Sequence, residues 1–132
     1  MPFLVLREMK GLSASNTLYV VRFISKTTRL EKAALGLLLL TSVVRKELSR
    51  RARAYADGLL KFEPSDLGSV RIPVVIARRD VVALFRRATE ALLEGCSEDA
   101  SSIADAWLAR CTKLHDTPPE LVGRPLPAAL RA

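Results

Sequence analysis

The chain has little of what enzymes use. All six glycines stand alone, so no glycine-rich loop exists to cradle a phosphate or a nucleotide cofactor. The one histidine, His115, has no cysteine or carboxylate set at metal-ligand spacing. A metal centre needs three or four convergent ligands, so His115 reads as a surface residue. The two cysteines, Cys96 and Cys111, are far apart and read as small apolar residues in a reducing cytoplasm rather than as a disulfide. Ser13, Ser15 and Ser42 have no base in a recognisable arrangement. Acidic pairs such as Glu98-Asp99 read as helix-terminal charge rather than an acid/base couple. These absences argue against an independent catalytic site and against a cofactor held by this chain alone.

Long hydrophobic runs are also missing. The opening MPFLVLREMK is broken by charge too soon for a secretory signal. Ala33 to Val44 carries no charge, but as a helix it covers only about 18 Å of a roughly 30 Å hydrocarbon layer. A buried helix is expected there, not a membrane span. Aromatics make up only 5% of the chain, so its core must rest on Leu, Val, Ile and Ala.

What the chain does have is core-forming residues and arginine. With 132 residues, 49% of them hydrophobic, it is long enough to bury a core and too apolar to be disordered throughout. Its net charge is +7, and 15 of the 21 basic residues are Arg. Guanidinium forks match phosphate geometry, which makes a polyanionic partner the natural inference.

The patterning predicts an α+β fold, a small sheet of about four short strands with one long central helix and two C-terminal helices. The strands are expected at Pro2 to Met9, Thr17 to Ile24, Leu59 to Phe62 and Val70 to Ile76, the last interrupted by Pro73. Between Leu59 and Val70, Glu63-Pro64-Ser65-Asp66 reads as a turn or one-turn helix. The long helix runs from about Arg29 to Ala54, after turn and N-cap chemistry at Ser25 to Thr28. Leu30, Ala33, Leu37, Val44 and Leu48 form its stripe, and Gly58 marks a stop beyond it. Its first half is apolar nearly all round, so other elements should wrap it, while its second half is basic. A second helix spans Asp80 to Glu94, with Val81, Leu84, Phe85, Ala88 and Leu92 on one face and Gly95 ending it. Ser97 caps a third helix, whose stripe is Ile103, Ala104, Trp107, Leu108, Cys111 and Leu114. The domain organisation expected is a core over 1–76, a helical extension over 77–115 and an irregular Pro-rich tail over 116–132.

Basic residues are the one functional constellation. Arg22 and Lys26 leave the second strand, and Arg45, Lys46, Arg50, Arg51 and Arg53 leave the long helix with only Glu47 opposing. Helical spacing aligns Lys46, Arg50 and Arg53 and puts Arg45 and Arg51 to the side. A further set, Arg78, Arg79, Arg86 and Arg87, reads as a solvated face.

Two segments and their order carry a resemblance. SNTLYVVRF at Ser15 to Phe23, a long helix, and YADGLLKFEPSDLGSVRIP at Tyr55 to Pro73 resemble the target recognition region of bacterial N6-adenine DNA methyltransferases. That family places an Asn-Thr-Leu strand before a helix, a Tyr-Gly-Gly-Gly-like stop, a Leu-Lys-Leu-Glu-Pro-Ser-Glu-Leu segment and a strand ending in Pro. The match covers roughly residues 3 to 76. It implies DNA binding and base recognition, and carries over to Asn16, Thr17, Tyr55, Gly58, Lys61, Glu63 and Pro64. Asn16 and Thr17 would offer hydrogen bonds at a loop–strand junction, with a turn-stabilising Asn the alternative. Gly58 and Pro64 are architectural, and Lys61 is placed to meet a phosphate.

The departures are informative. Ala56 and Asp57 replace glycines of the family pattern, and Tyr19 stands where His is common. Asn16 is the only asparagine, so the Asn-Pro-Pro-aromatic catalytic motif is impossible, and Thr117-Pro118-Pro119-Glu120 does not supply its Asp version. The expectation is therefore a DNA-binding target-recognition segment of, or partner to, an adenine-N6 methyltransferase in the cytoplasm. Its partners would be double-stranded DNA and a catalytic domain or subunit that holds S-adenosylmethionine, with no membrane involved. The alternatives are a protein-interaction module docking through the C-terminal helices and an inactive truncated remnant.

Overall fold

Thr28 opens the first helix. The computed structural model describes residues 23, 26–54, 60–76 and 78–112. In α1 (Arg29–Leu40) the Thr28 hydroxyl accepts the Glu31 amide, and the Glu31 carboxylate accepts the Thr28 amide at 2.7 Å, a reciprocal capping box. Ala33, Ala34, Leu37, Leu38 and Leu40 are buried, so the apolar half of the long pattern is wrapped as expected.

The helix does not continue to Ala54. It breaks at Thr41, whose ψ of 146° is extended, and resumes as α2 (Ser42–Arg51). The break redirects several backbone groups. In a continuous helix the Ser42 amide would donate to the Leu38 carbonyl and the Val44 amide to that of Leu40. Instead Leu38 accepts from both the Thr41 amide (3.1 Å) and the Thr41 hydroxyl (2.6 Å). The Val44 amide donates to the Thr41 hydroxyl oxygen, and the Leu40 carbonyl accepts from Ser101 at 2.9 Å. The Ser42 amide donates to Asp105 at 2.8 Å, and the Ser42 hydroxyl donates to the other oxygen of the same carboxylate. The single long central helix is thus corrected to two helices meeting at an elbow, held by residues about sixty positions away.

The expected sheet is also overturned. The described residues are mostly helical, and their strand pairing amounts to a two-residue antiparallel ladder and an isolated bridge at Arg71. β1 (Arg53–Ala54) pairs with β2 (Leu60–Lys61), Arg53 opposite Lys61 and Ala54 opposite Leu60. Strand 59–62 therefore shrinks to β2. No strand forms over 70–76, where burial falls on Val70, Ile72 and Val75 while Val74 and Ile76 are exposed. The alternation slips at Pro73, which also lacks the amide a ladder needs. The expected strands over 2–9 and 17–24, save Phe23, lie outside the described residues, as do the Gly58 stop and the Pro-rich tail. The Pro64 turn is a short helix, α3 (Pro64–Gly68), with proline in its first turn.

The last two helices match their reading closely. α4 (Val81–Leu93) ends in a Schellman motif: Gly95 takes φ +82°, its amide donates to Leu92, and the Cys96 amide donates to Ala91 at 2.8 Å. α5 (Ser97–Thr112) corrects the expected Ser97 cap: Ser97 is the first helical residue, and the carbonyl of Cys96 before it accepts the Ala100 amide. α1, α4 and α5 bury one common cluster, centred on Leu37, Val81, Ala88, Ala104 and Trp107. Val44, Phe62 and Val70 are buried outside that cluster. Among the described residues, no helix is long and apolar enough to cross a membrane.

The Gly95 backbone sets one expectation. A Cβ there meets no neighbouring atom but must adopt the left-handed conformation, so Gly95→Ala should cost about 1 kcal/mol in chemical denaturation, from backbone strain alone. The capping box sets another. Hydrogen bonds from the Thr28 amide and then its hydroxyl hold the Glu31 carboxyl below its ordinary pKa. That stabilisation is complete above the ordinary carboxylate range and is lost as pH falls through the lowered value. The melting-temperature gap between the parent and Glu31→Gln should therefore narrow on acidification, and a gap that does not change with pH would contradict the linkage.

Candidate nucleic-acid interface

α2 carries the chain's densest run of cations on little apolar support. Of its ten residues only Val44 is buried. Lys46 and Arg50, one turn apart, are both exposed and share a face, while Arg45 is half-buried to one side. Among the described residues, no acid lies within ion-pair distance of Arg45 or Lys46. Arg50 reaches Glu47 only at 4.0 Å, with its own side chain 69% exposed.

Arg51 behaves differently. Its Nε donates to Glu47 at 2.8 Å, and another guanidinium nitrogen donates to the Ser69 hydroxyl at 2.6 Å, which itself donates to the Asp66 carbonyl. This guanidinium ties α2 to the residue that ends α3. Arg53 has left the helix, because Ala52 turns extended, and it meets Asp66 at 3.5 Å. The expected alignment of Lys46, Arg50 and Arg53 on one helical face is therefore corrected to Lys46 and Arg50 alone. The ladder places Lys61 opposite Arg53 in register.

The remaining expected positions are dispersed. Lys26 is exposed ahead of α1, at the opposite end of that helix from the elbow. Asn16, Thr17 and Arg22 lie outside the described residues, as does His115. Arg78, Arg79, Arg86 and Arg87 are exposed, and Arg86 lies 3.6 Å from Glu90 on its own helix. Among the described residues, no three His, Cys, Asp or Glu side chains gather as a metal site would require.

Sequence reasoning did not find the partners that commit some of these arginines. The Glu47–Arg51 pair follows the i, i+4 rule and was readable. Ser69, Asp66 and above all Asp105 reach their partners across the fold, and no local spacing announces them.

Residues 1–109 match the family described as type II methyltransferase M.Eco57I, C-terminal domain. No curated protein and no solved structure matches the chain. The match covers both resemblance segments, runs past residue 76 and takes in α1 to α4 with most of α5. The chain belongs to the family of M.Eco57I-type C-terminal methyltransferase domains.

Proposed function

We propose that this chain is a DNA-binding target-recognition segment that positions an S-adenosylmethionine-dependent adenine-N6 methyltransferase on its site. The cofactor belongs to the catalytic domain or subunit, and the working complex acts on double-stranded DNA in the bacterial cytoplasm. The observation that carries this reading is the exposed Lys46–Arg50 face of α2, with Arg45 beside it, in a chain of a DNA-methyltransferase family. Cations that the fold does not neutralise suit phosphate contacts, which set register and contribute no sequence information. Base reading falls to Asn16 and Thr17, the residues to which the resemblance carries that role. Docking through α4 and α5 finds less support, because their apolar stripes are used against each other and α1.

Binding to duplex DNA, measured by mobility shift with the catalytic partner present, should weaken steeply as salt rises. Replacing Lys46 and Arg50 together by Glu should weaken binding to every sequence alike and leave the melting temperature near that of the parent. A loss confined to one sequence would contradict the phosphate role, and absence of duplex binding at low salt would end the proposal. Arg51→Ala should show the opposite profile. Its partly exposed bridge contributes on the order of 0.5–1 kcal/mol, so thermal stability should fall. A parent-like melting temperature for Arg51→Ala would show that the guanidinium does not tie α2 to α3.

A further inference from the structure

The elbow at Thr41 does more than end a helix. Everything needed to close the break as continuous helix is present in residues 38–44. The Ser42 and Val44 amides have their ordinary acceptors in Leu38 and Leu40, one turn back. They are kept from them by three side chains. Thr41 occupies the Leu38 carbonyl and offers its hydroxyl oxygen to Val44. Ser101, almost fully buried, takes the Leu40 carbonyl, and Asp105 takes both the amide and the hydroxyl of Ser42. Ser101 and Asp105 are one turn apart on α5 and so face the elbow together. The carboxylate also stands at the positive end of the α2 dipole, which favours it electrostatically.

Beyond the elbow, α2 has only Val44 to hold it by apolar burial, and its far end is tied to α3 rather than to the α1–α4–α5 cluster. The direction in which the cationic helix leaves that cluster is therefore set at Thr41. We infer that Ser101 and Asp105 are positioning residues for DNA binding: they lock the α1–α2 elbow open and so fix where the Lys46–Arg50 face is presented. Neither needs to touch DNA. The inference rests on α2 being the DNA-contacting helix, but the locking itself is independent of that reading.

The test measures both separately in the full chain. Spin labels at Ser49→Cys on α2 and Ala83→Cys on α4, in a Cys96→Ser, Cys111→Ala background, report the angle of the elbow. Duplex affinity is measured in parallel. Asp105→Ala, and more so Ser101→Ala with Asp105→Ala, should broaden or lengthen the label-to-label distance as α1 and α2 straighten. Affinity should fall on the order of fivefold to tenfold, since only part of the population then presents the face correctly. Asp105→Asn keeps an acceptor for the Ser42 amide and should restore most of the parental distance and affinity. Lys46→Glu with Arg50→Glu should weaken binding with the distance unchanged. A parental distance distribution in folded Asp105→Ala would overturn the inference, and so would a distance change without loss of affinity in a chain that binds DNA. If the double variant fails to fold, Ser42→Ala, which removes only the hydroxyl arm, should give a smaller broadening, and a parental distribution in folded Ser42→Ala would overturn the lock. If the parent itself binds no duplex, the DNA-contact reading fails, while the distance changes still decide the lock.

Discussion

A helix that breaks inside a protein must find new partners for the backbone groups it releases, and this constraint governs the molecule. At residues 38–44 the released groups include the Leu40 carbonyl and the Val44 amide, bonded at buried sites, and the Ser42 amide, bonded at an exposed one. Burying such groups unbonded costs about 1–3 kcal/mol each, more than enough to force the helix straight if nothing intervened. Thr41 answers one group locally, and Ser101 and Asp105 answer the other two from α5. The bend is stable only because α5 is packed on α1 through Ala104 and Trp107, and that packing is itself completed by α4. The direction of the basic helix thus depends on residues that carry no positive charge.

The same arrangement separates two kinds of surface. On one side of Thr41, α1 gives its apolar face to α4 and α5. On the other, α2 spends almost none of its surface on burial and carries charge instead. Its acids and cations are not scattered. Glu47 engages Arg51 within α2, Arg51 also reaches Ser69 at the end of α3, and Asp66 engages Arg53 just beyond the helix. Lys46 and Arg50 remain facing solvent. The family match spans both sides of the elbow and continues through α4 into α5.

Local chemistry made much of this legible in advance. N-cap chemistry ending at Thr28, Pro64 at the start of a turn and Gly95 after a periodic apolar stripe each act within a few residues, and each lies where the sequence indicates. The α4 stripe of Val81, Leu84, Phe85, Ala88 and Leu92 faces the core because one long periodic segment leaves little ambiguity. The elbow was not legible, because residues 29–51 keep a helical period through Thr41 and the side chains that break it come from the other end of the domain. Residues 70–76 misled for a different reason. Val70, Ile72, Val74 and Ile76 alternate well, but alternation shows only that a strand would be amphipathic and not that a partner strand lies beside it. Of the candidate site, the basic character of α2 was visible in its composition. Which arginines were already engaged depended on Ser69 and Asp66, whose positions only the tertiary fold defines.

The charge order along α2 bears on whether a ligand-binding role conflicts with stability. A concentration of cations ordinarily destabilises a fold through self-repulsion. In α2 the anionic Asp105 sits at the N-terminal end, where the helix dipole is positive, and Arg50 and Arg51 occupy the last turn, where it is negative. Each therefore stabilises a helix that has little apolar anchoring of its own. Asp105 also lies at the end away from Arg50, so the acid that positions the helix is kept apart from the outer end of the cationic face. A cation at a helix C-terminus contributes roughly 0.3–1 kcal/mol while remaining in solvent, where a phosphate can still reach it. In the proposed role, Arg50 would thus serve the helix and meet a phosphate at once, so at that position binding need not compete with folding.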